Sequence, residues 1–198
     1  MSVPESPTGI LTFLIADVRG YTAFTQAHGD EGAARLADKF AEIAREGVES
    51  FGGEVTELRG DEALCVFTSP RAALRAAVAL QTVFVDETAV DPSLPLTVGM
   101  GLDAGEAVPV QGGYRGGALN LAARLCSRAV AGEVLVSQGI AHLARAVEGI
   151  ELKEHGEAEV KGLTEPVRVF RASVDSLPLE VRPRRRLPDR GRCRPSRM

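Results

Sequence analysis

The 198-residue sequence has no tryptophan, two tyrosines and three histidines. It also lacks any apolar run near the roughly 18 to 20 residues that would cross a bilayer. The longest such run, "ILTFLIADV" at residues 10–18, is strand-sized. The N-terminus "MSVPESPTG" has neither a basic n-region nor an apolar h-region, so no secretory signal is expected. Cys65, Cys126 and Cys193 are odd in number, widely spaced and without a CxxC pair. That excludes a disulfide framework or a zinc site of the usual spacing and leads us to expect a cytoplasmic protein. Common catalytic signatures are missing too: there is no GxxxxGK[ST], HExxH or GxSxG, and "GGYRGG" does not fit GxGxxG. His28, His142 and His155 are scattered along the chain and suggest surface or packing roles.

What is present is a chain of one domain's length, 44% hydrophobic and 25% charged, as in ordinary globular proteins. Its net charge of −4 conceals an asymmetry. Residues 180–198 hold eight arginines and two acids, so the preceding 179 residues carry 15 basic and 25 acidic groups. An acidic body argues against nucleic acid as a partner. We therefore expect an N-terminal tail at 1–8, a domain at 9–175, and a disordered Arg/Pro-rich tail at 176–198. That tail reads either as a solvated extension or as an arm that contacts an anionic surface.

Within the domain, residues 10–18 read as a central buried strand. Leu36, Phe40, Ile43, Val48 and Phe51 recur at helical spacing over about 31–51, with Gly52-Gly53 as the stop. Residues 54–67 read as a hairpin turning at Arg59-Gly60. A second helix follows, with Ser69 as N-cap and Pro70 in its first turn. "PLTVGMGLDAGEAVPVQ" reads as two strands turning near Asp103-Ala104-Gly105. A helix over "GGALNLAARLCSRAV", a strand, a short helix and two closing strands complete the order. The class is α+β, a ferredoxin-like mixed sheet with packed helices.

The chemistry is carried by acids at strand ends. Asp17 closes an apolar strand and precedes "RGYT"; the amides of Arg19, Gly20, Tyr21 and Thr22 could hold phosphate while Asp17 binds Mg²⁺. A helix-capping role for Asp17 is the competing reading. Asp61 stands at the hairpin turn, either as a second metal ligand or as an ordinary turn residue. Asn120 and Arg124, four apart on one helix, share a face, either as an anion-stabilising pair or as solvated surface.

"FLIADVRGYTAF", "GGEVTELRGDEALCVF" and "GGYRGGALNLAARL", in this order, resemble the catalytic domain of class III nucleotidyl cyclases over about residues 9–172. The resemblance implies a head-to-tail homodimer with shared active sites. It places two Mg²⁺ or Mn²⁺ ions on Asp17, Asp61 and Val18 of one protomer. Asn120, positioning the ribose, and Arg124, stabilising the transition state, come from the other. Lys161 in "VKG" matches the family's triphosphate-binding lysine. Glu57 falls where adenylate-forming relatives place an adenine-binding lysine and guanylate-forming relatives a glutamate. Gly113 falls where the former carry Asp or Thr. A carboxylate accepts from guanine N1–H and N2–H together, so GTP is the expected substrate. ATP, UTP and a non-catalytic nucleotide-binding module remain alternatives.

Overall fold

The computed structural model describes residues 9–159 and 166–175. Lys161 and both expected tails lie outside the described residues. The chain opens with β1 (Ile10–Val18), buried on both faces along Phe13–Ala16. Gly20, at φ 80, turns it directly into α1 (Tyr21–Ser50). The helix therefore begins at Tyr21 rather than near residue 31. Gly29, at φ 73 and ψ 178, divides it, and the first segment is largely exposed, so no apolar periodicity announces it. The expected hairpin is β2 (Glu54–Arg59) and β3 (Glu62–Phe67), with Gly60 at φ 62 in the turn. α2 (Pro70–Val90) starts where Ser69 Oγ accepts the Ala72 N–H at 3.3 Å.

β4 (Val98–Glu106), β5 (Val108–Val110) and β6 (Gly113–Arg115) correct one expectation. Asp103-Ala104-Gly105 does not turn; β4 runs through it. Asp103 is buried, and its carboxylate accepts from Ser137 Oγ at 2.5 Å and from the Ala104 amide, so a polar residue that looks like a turn is satisfied inside the sheet. α3 (Gly117–Arg128), β7 (Val134–Ser137), α4 (Gln138–Ala144), β8 (Ile150–Ala158) and β9 (Val167–Val174) follow. No helix among the described residues is long and apolar enough to cross a membrane.

The strand order is β2-β3-β1-β4-β7-β9-β8. The first four strands are antiparallel neighbours produced by a βαββαβ unit, the ferredoxin-like arrangement. The parallel β4–β7 pair makes the sheet mixed, giving the α+β architecture expected. α1, α2 and α4 bury Leu36, Phe40, Leu74, Phe84 and Ile140 on one face. α3 covers the other, with Ala118, Ala122 and Cys126 over Phe13 and Ile15, and Leu125 over Leu135.

The close seat of α3 depends on Gly101 in β4. A Cβ there would lie 2.1 Å from the Cys126 nitrogen and 2.3 Å from the Ala122 oxygen, both backbone atoms. Gly101→Ala must therefore lift the helix. We expect a loss of about 3 kcal/mol and a fall in Tm of roughly 6–12 °C, read by thermal unfolding. An unchanged Tm would show that α3 is not held at this distance.

Candidate active site

The hairpin contains a bulge that decides which side chains reach the site. Val55 pairs with Cys65 and Glu57 with Leu64, so Thr56 is the extra residue; its Oγ1 donates to the Leu64 carbonyl at 3.2 Å. Val55 and Leu58, three apart, both pack into the α1/α2 core because of this insertion. Glu57, opposite Leu64, and Arg59, opposite Glu62, face the α3 side instead. Glu62 pairs in turn with Asp17 on β1. Asp17, Glu62, Arg59 and Glu57 thus line one face at the same end of three adjacent strands. Asp61 joins them through the turn, its carbonyl accepting the Val18 N–H at 3.0 Å.

These acids are under electrostatic load. Burial raises the pKa of Asp17; Arg19 opposes that and Asp61 adds to it. Burial also raises Glu62, reinforced by Asp17, relieved by Arg59 and increased again by Asp61 and Glu57. Arg19 Nη1 donates to Asp17 Oδ1 at 2.7 Å, while Nη2 donates to the Cys126 carbonyl and lies 3.4 Å from its Sγ. Gly99 leaves space for this guanidinium, since a Cβ would sit 2.6 Å from Arg19 Nε. Burial pushes the Cys126 thiol up to about 12, which removes it as a nucleophile.

The expected phosphate cradle needs one correction. The Arg19 amide donates to the Thr97 carbonyl at 2.7 Å and is not available. Gly20, Tyr21 and Thr22 remain, at the start of α1, where the first N–H groups have no intrahelical acceptor and no side chain caps them. The Tyr21 side chain is turned inward, its hydroxyl donating to the Ala33 carbonyl at 3.1 Å.

Among the described residues no three His, Cys, Asp or Glu side chains converge as a closed metal site. The carboxylates of Asp17 and Asp61 instead form an open pair. Hard divalent cations suit that donor set, since Mg²⁺ is commonly held by one or two carboxylates with substrate phosphates completing the shell. The raised pKa of Asp17, partly from Asp61, is a repulsion that a bound cation would relieve.

Asn120 and Arg124 stand apart from this cluster. α3 buries Ala118, Leu121, Ala122, Leu125 and Cys126 and exposes Asn120 and Arg124 on its other side. Neither side chain has a hydrogen-bonding or ionic partner among the described residues. Gly113, in β6, has φ 147, a backbone that side-chain-bearing residues rarely adopt. Tyr114 is packed edge-on against Phe13, with ring centroids 5.8 Å apart. Two groups escaped the reading from sequence: Glu62, which faces Asp17, and Arg59, whose Nε donates to Glu57 Oε1 at 2.6 Å with Nη2 at 2.5 Å. Acids and bases alternating over 57, 59 and 62 were the available signal, but their common face follows only from the bulge.

A family model described as the adenylate and guanylate cyclase catalytic domain matches residues 3–172. An uncharacterized protein of Mycobacterium tuberculosis is 32% identical over 155 residues, 78% of this chain and 39% of that protein. The chain thus spans well under half the length of such curated relatives. The crystal structure of the adenylyl cyclase CyaB from P. aeruginosa superposes with a TM-score of 0.73 at 25% identity, over 85% of this chain and 95% of that one. That of the guanylyl cyclase Cya2 gives 0.70 at 22% identity, over 87% and 98%, a likeness of fold.

Proposed function

The chain belongs to the family of adenylate and guanylate cyclase catalytic domains, and on that premise we propose that it is a metal-dependent cyclase acting on GTP. The ribose 3′-oxygen forms a bond to the α-phosphorus, the bond to the leaving pyrophosphate breaks, and the 3′-hydroxyl loses its proton. The observation that supports this reading best is the open Asp17/Asp61 pair, tied together through the Val18 amide beside the uncapped start of α1. Divalent ions bound there would lower the pKa of the attacking hydroxyl and neutralise charge on the entering and leaving oxygens. The amides of Gly20 to Thr22, uncapped at the start of α1, would receive phosphate oxygens.

Arg124 and Asn120 complete the proposal from a second copy of the chain. Both point away from the sheet that carries the acids, so a two-fold homodimer with shared sites is the arrangement in which they serve it. Exposed Val108 and Val110, on the hairpin preceding α3, offer apolar surface for that association. Glu57 supplies the base preference. It accepts from guanine N1–H and N2–H, whereas adenine would set its N1 lone pair against the carboxylate at a cost of about 1–3 kcal/mol.

Chromatographic product analysis with Mg²⁺ or Mn²⁺ and each of GTP, ATP, UTP and CTP tests the proposal. Cyclic GMP is expected to dominate. Cyclic AMP or cyclic UMP in its place would keep the chemistry and discard the account of base recognition. No cyclic product from any nucleotide would overturn the enzyme reading in favour of a nucleotide-binding regulatory module.

A further inference from the structure

We propose that Arg59 is a second base-reading residue, donating to O6 of guanine beside Glu57; this rests on the GTP reading above. A carboxylate alone leaves O6 without a donor, and Gly113 brings no side chain to supply one. Tyr114 is packed on Phe13. Arg59 lies two residues from Glu57 on the same face, a placement made by the Thr56 bulge. Its Nε and Nη2 both donate to one oxygen of Glu57, at 2.6 and 2.5 Å. Oε2 of Glu57 has no partner among the described residues, and the guanidinium retains unused N–H groups. The pair therefore presents an acceptor and a donor side by side, which is what the N1–H and O6 of guanine require. Lysine could not reproduce this two-point fork.

The Arg59 side chain is 69% exposed, so its removal leaves the core untouched. The test compares wild type, Arg59→Ala, Arg59→Lys and Glu57→Ala on GTP, on ATP and on 6-thio-GTP, whose sulfur is a poor acceptor. Arg59→Ala is expected to raise the KM for GTP about tenfold, the loss of a donor to a buried acceptor, with kcat little changed. For 6-thio-GTP the rise is expected to be at most about twofold, because the donor has little to meet there. Arg59→Lys is expected to fall between. Equal penalties on the two nucleotides would mean that Arg59 only orients Glu57, and would overturn the assignment. So would an unchanged GTP KM, or a loss confined to ATP, which would mark donation to adenine N1. In those cases cyclic GMP from wild type and its loss in Glu57→Ala leave the parent reading standing. A wild type that makes no cyclic GMP removes both.

Discussion

Asp61→Ala is expected to abolish cyclic nucleotide formation, by about 10³-fold or more, while folding as well as the parent chain. The size follows from losing several kcal/mol of charge stabilisation when a metal ligand is removed. The preserved fold follows from what Asp61 does not do. Among the described residues its carboxylate makes no hydrogen bond, and the carbonyl that accepts the Val18 N–H at 3.0 Å belongs to the backbone and survives the substitution. Its charge is a burden on the metal-free chain, because it adds to the raised pKa of Asp17, whose first cause is burial. A carboxyl whose pKa is raised in the native state binds its proton more tightly there. Its stabilising contribution is present in acid and fades as pH rises through that pKa. Asp61→Ala should therefore match or slightly exceed wild type in Tm at neutral pH, with the difference vanishing in the acid range. Added Mn²⁺ should raise the Tm of wild type and not of the variant. A variant that unfolds early, or that keeps its activity, would remove Asp61 from the metal site.

Much of the fold is legible in the chain because its burial patterns are strong. The apolar run at 10–18 has a length and composition that suit a strand buried on both faces, and β1 is that strand. Ser69-Pro70 marks a helix start through a side-chain acceptor and a pre-set φ, and α2 begins there. Legibility fails where tertiary contacts override local chemistry. Asp103 has the composition of a turn, yet Ser137, 34 residues later, supplies the hydrogen bond that lets it stay in a strand. The first segment of α1 lacks an apolar stripe and continues past Gly29, so periodicity could not find it.

The site divides in the same way. Asp17, Asp61 and Glu57 could be named from their motifs, and strand neighbours bring them to one end of the sheet. The Arg19 amide could not be discounted in advance, because its acceptor, the Thr97 carbonyl, comes from a distant loop. Arg59 and Glu62 were invisible as members of the site because side-chain facing depends on the register, and the bulge at Thr56 inverts it. Val55 and Leu58 held that information: two apolar residues three apart in a strand cannot share a face without an inserted residue.

Because Asn120 and Arg124 lie on the exposed side of α3, mixing two inactive variants should restore activity. Arg124→Ala is expected to lower kcat by about 10²- to 10³-fold, with KM moving little, since its charge matters most when the phosphate charge develops. Asp61→Ala is inactive for its own reason. In a two-fold dimer with shared sites, a mixed pair has one site carrying both substitutions and one carrying neither. An equal mixture that exchanges freely should then recover about a quarter of wild-type turnover, since half the dimers are mixed and each has one intact site of two. Sites built within one chain would give no recovery, because every site would keep its own lesion. The experiment also separates two roles for Arg124. Its guanidinium has no ionic partner among the described residues, and its neighbours on the buried face of the helix are apolar. A merely solvated arginine would leave kcat unchanged when removed, and an equal mixture with Asp61→Ala would then retain about half of wild-type sites rather than a quarter.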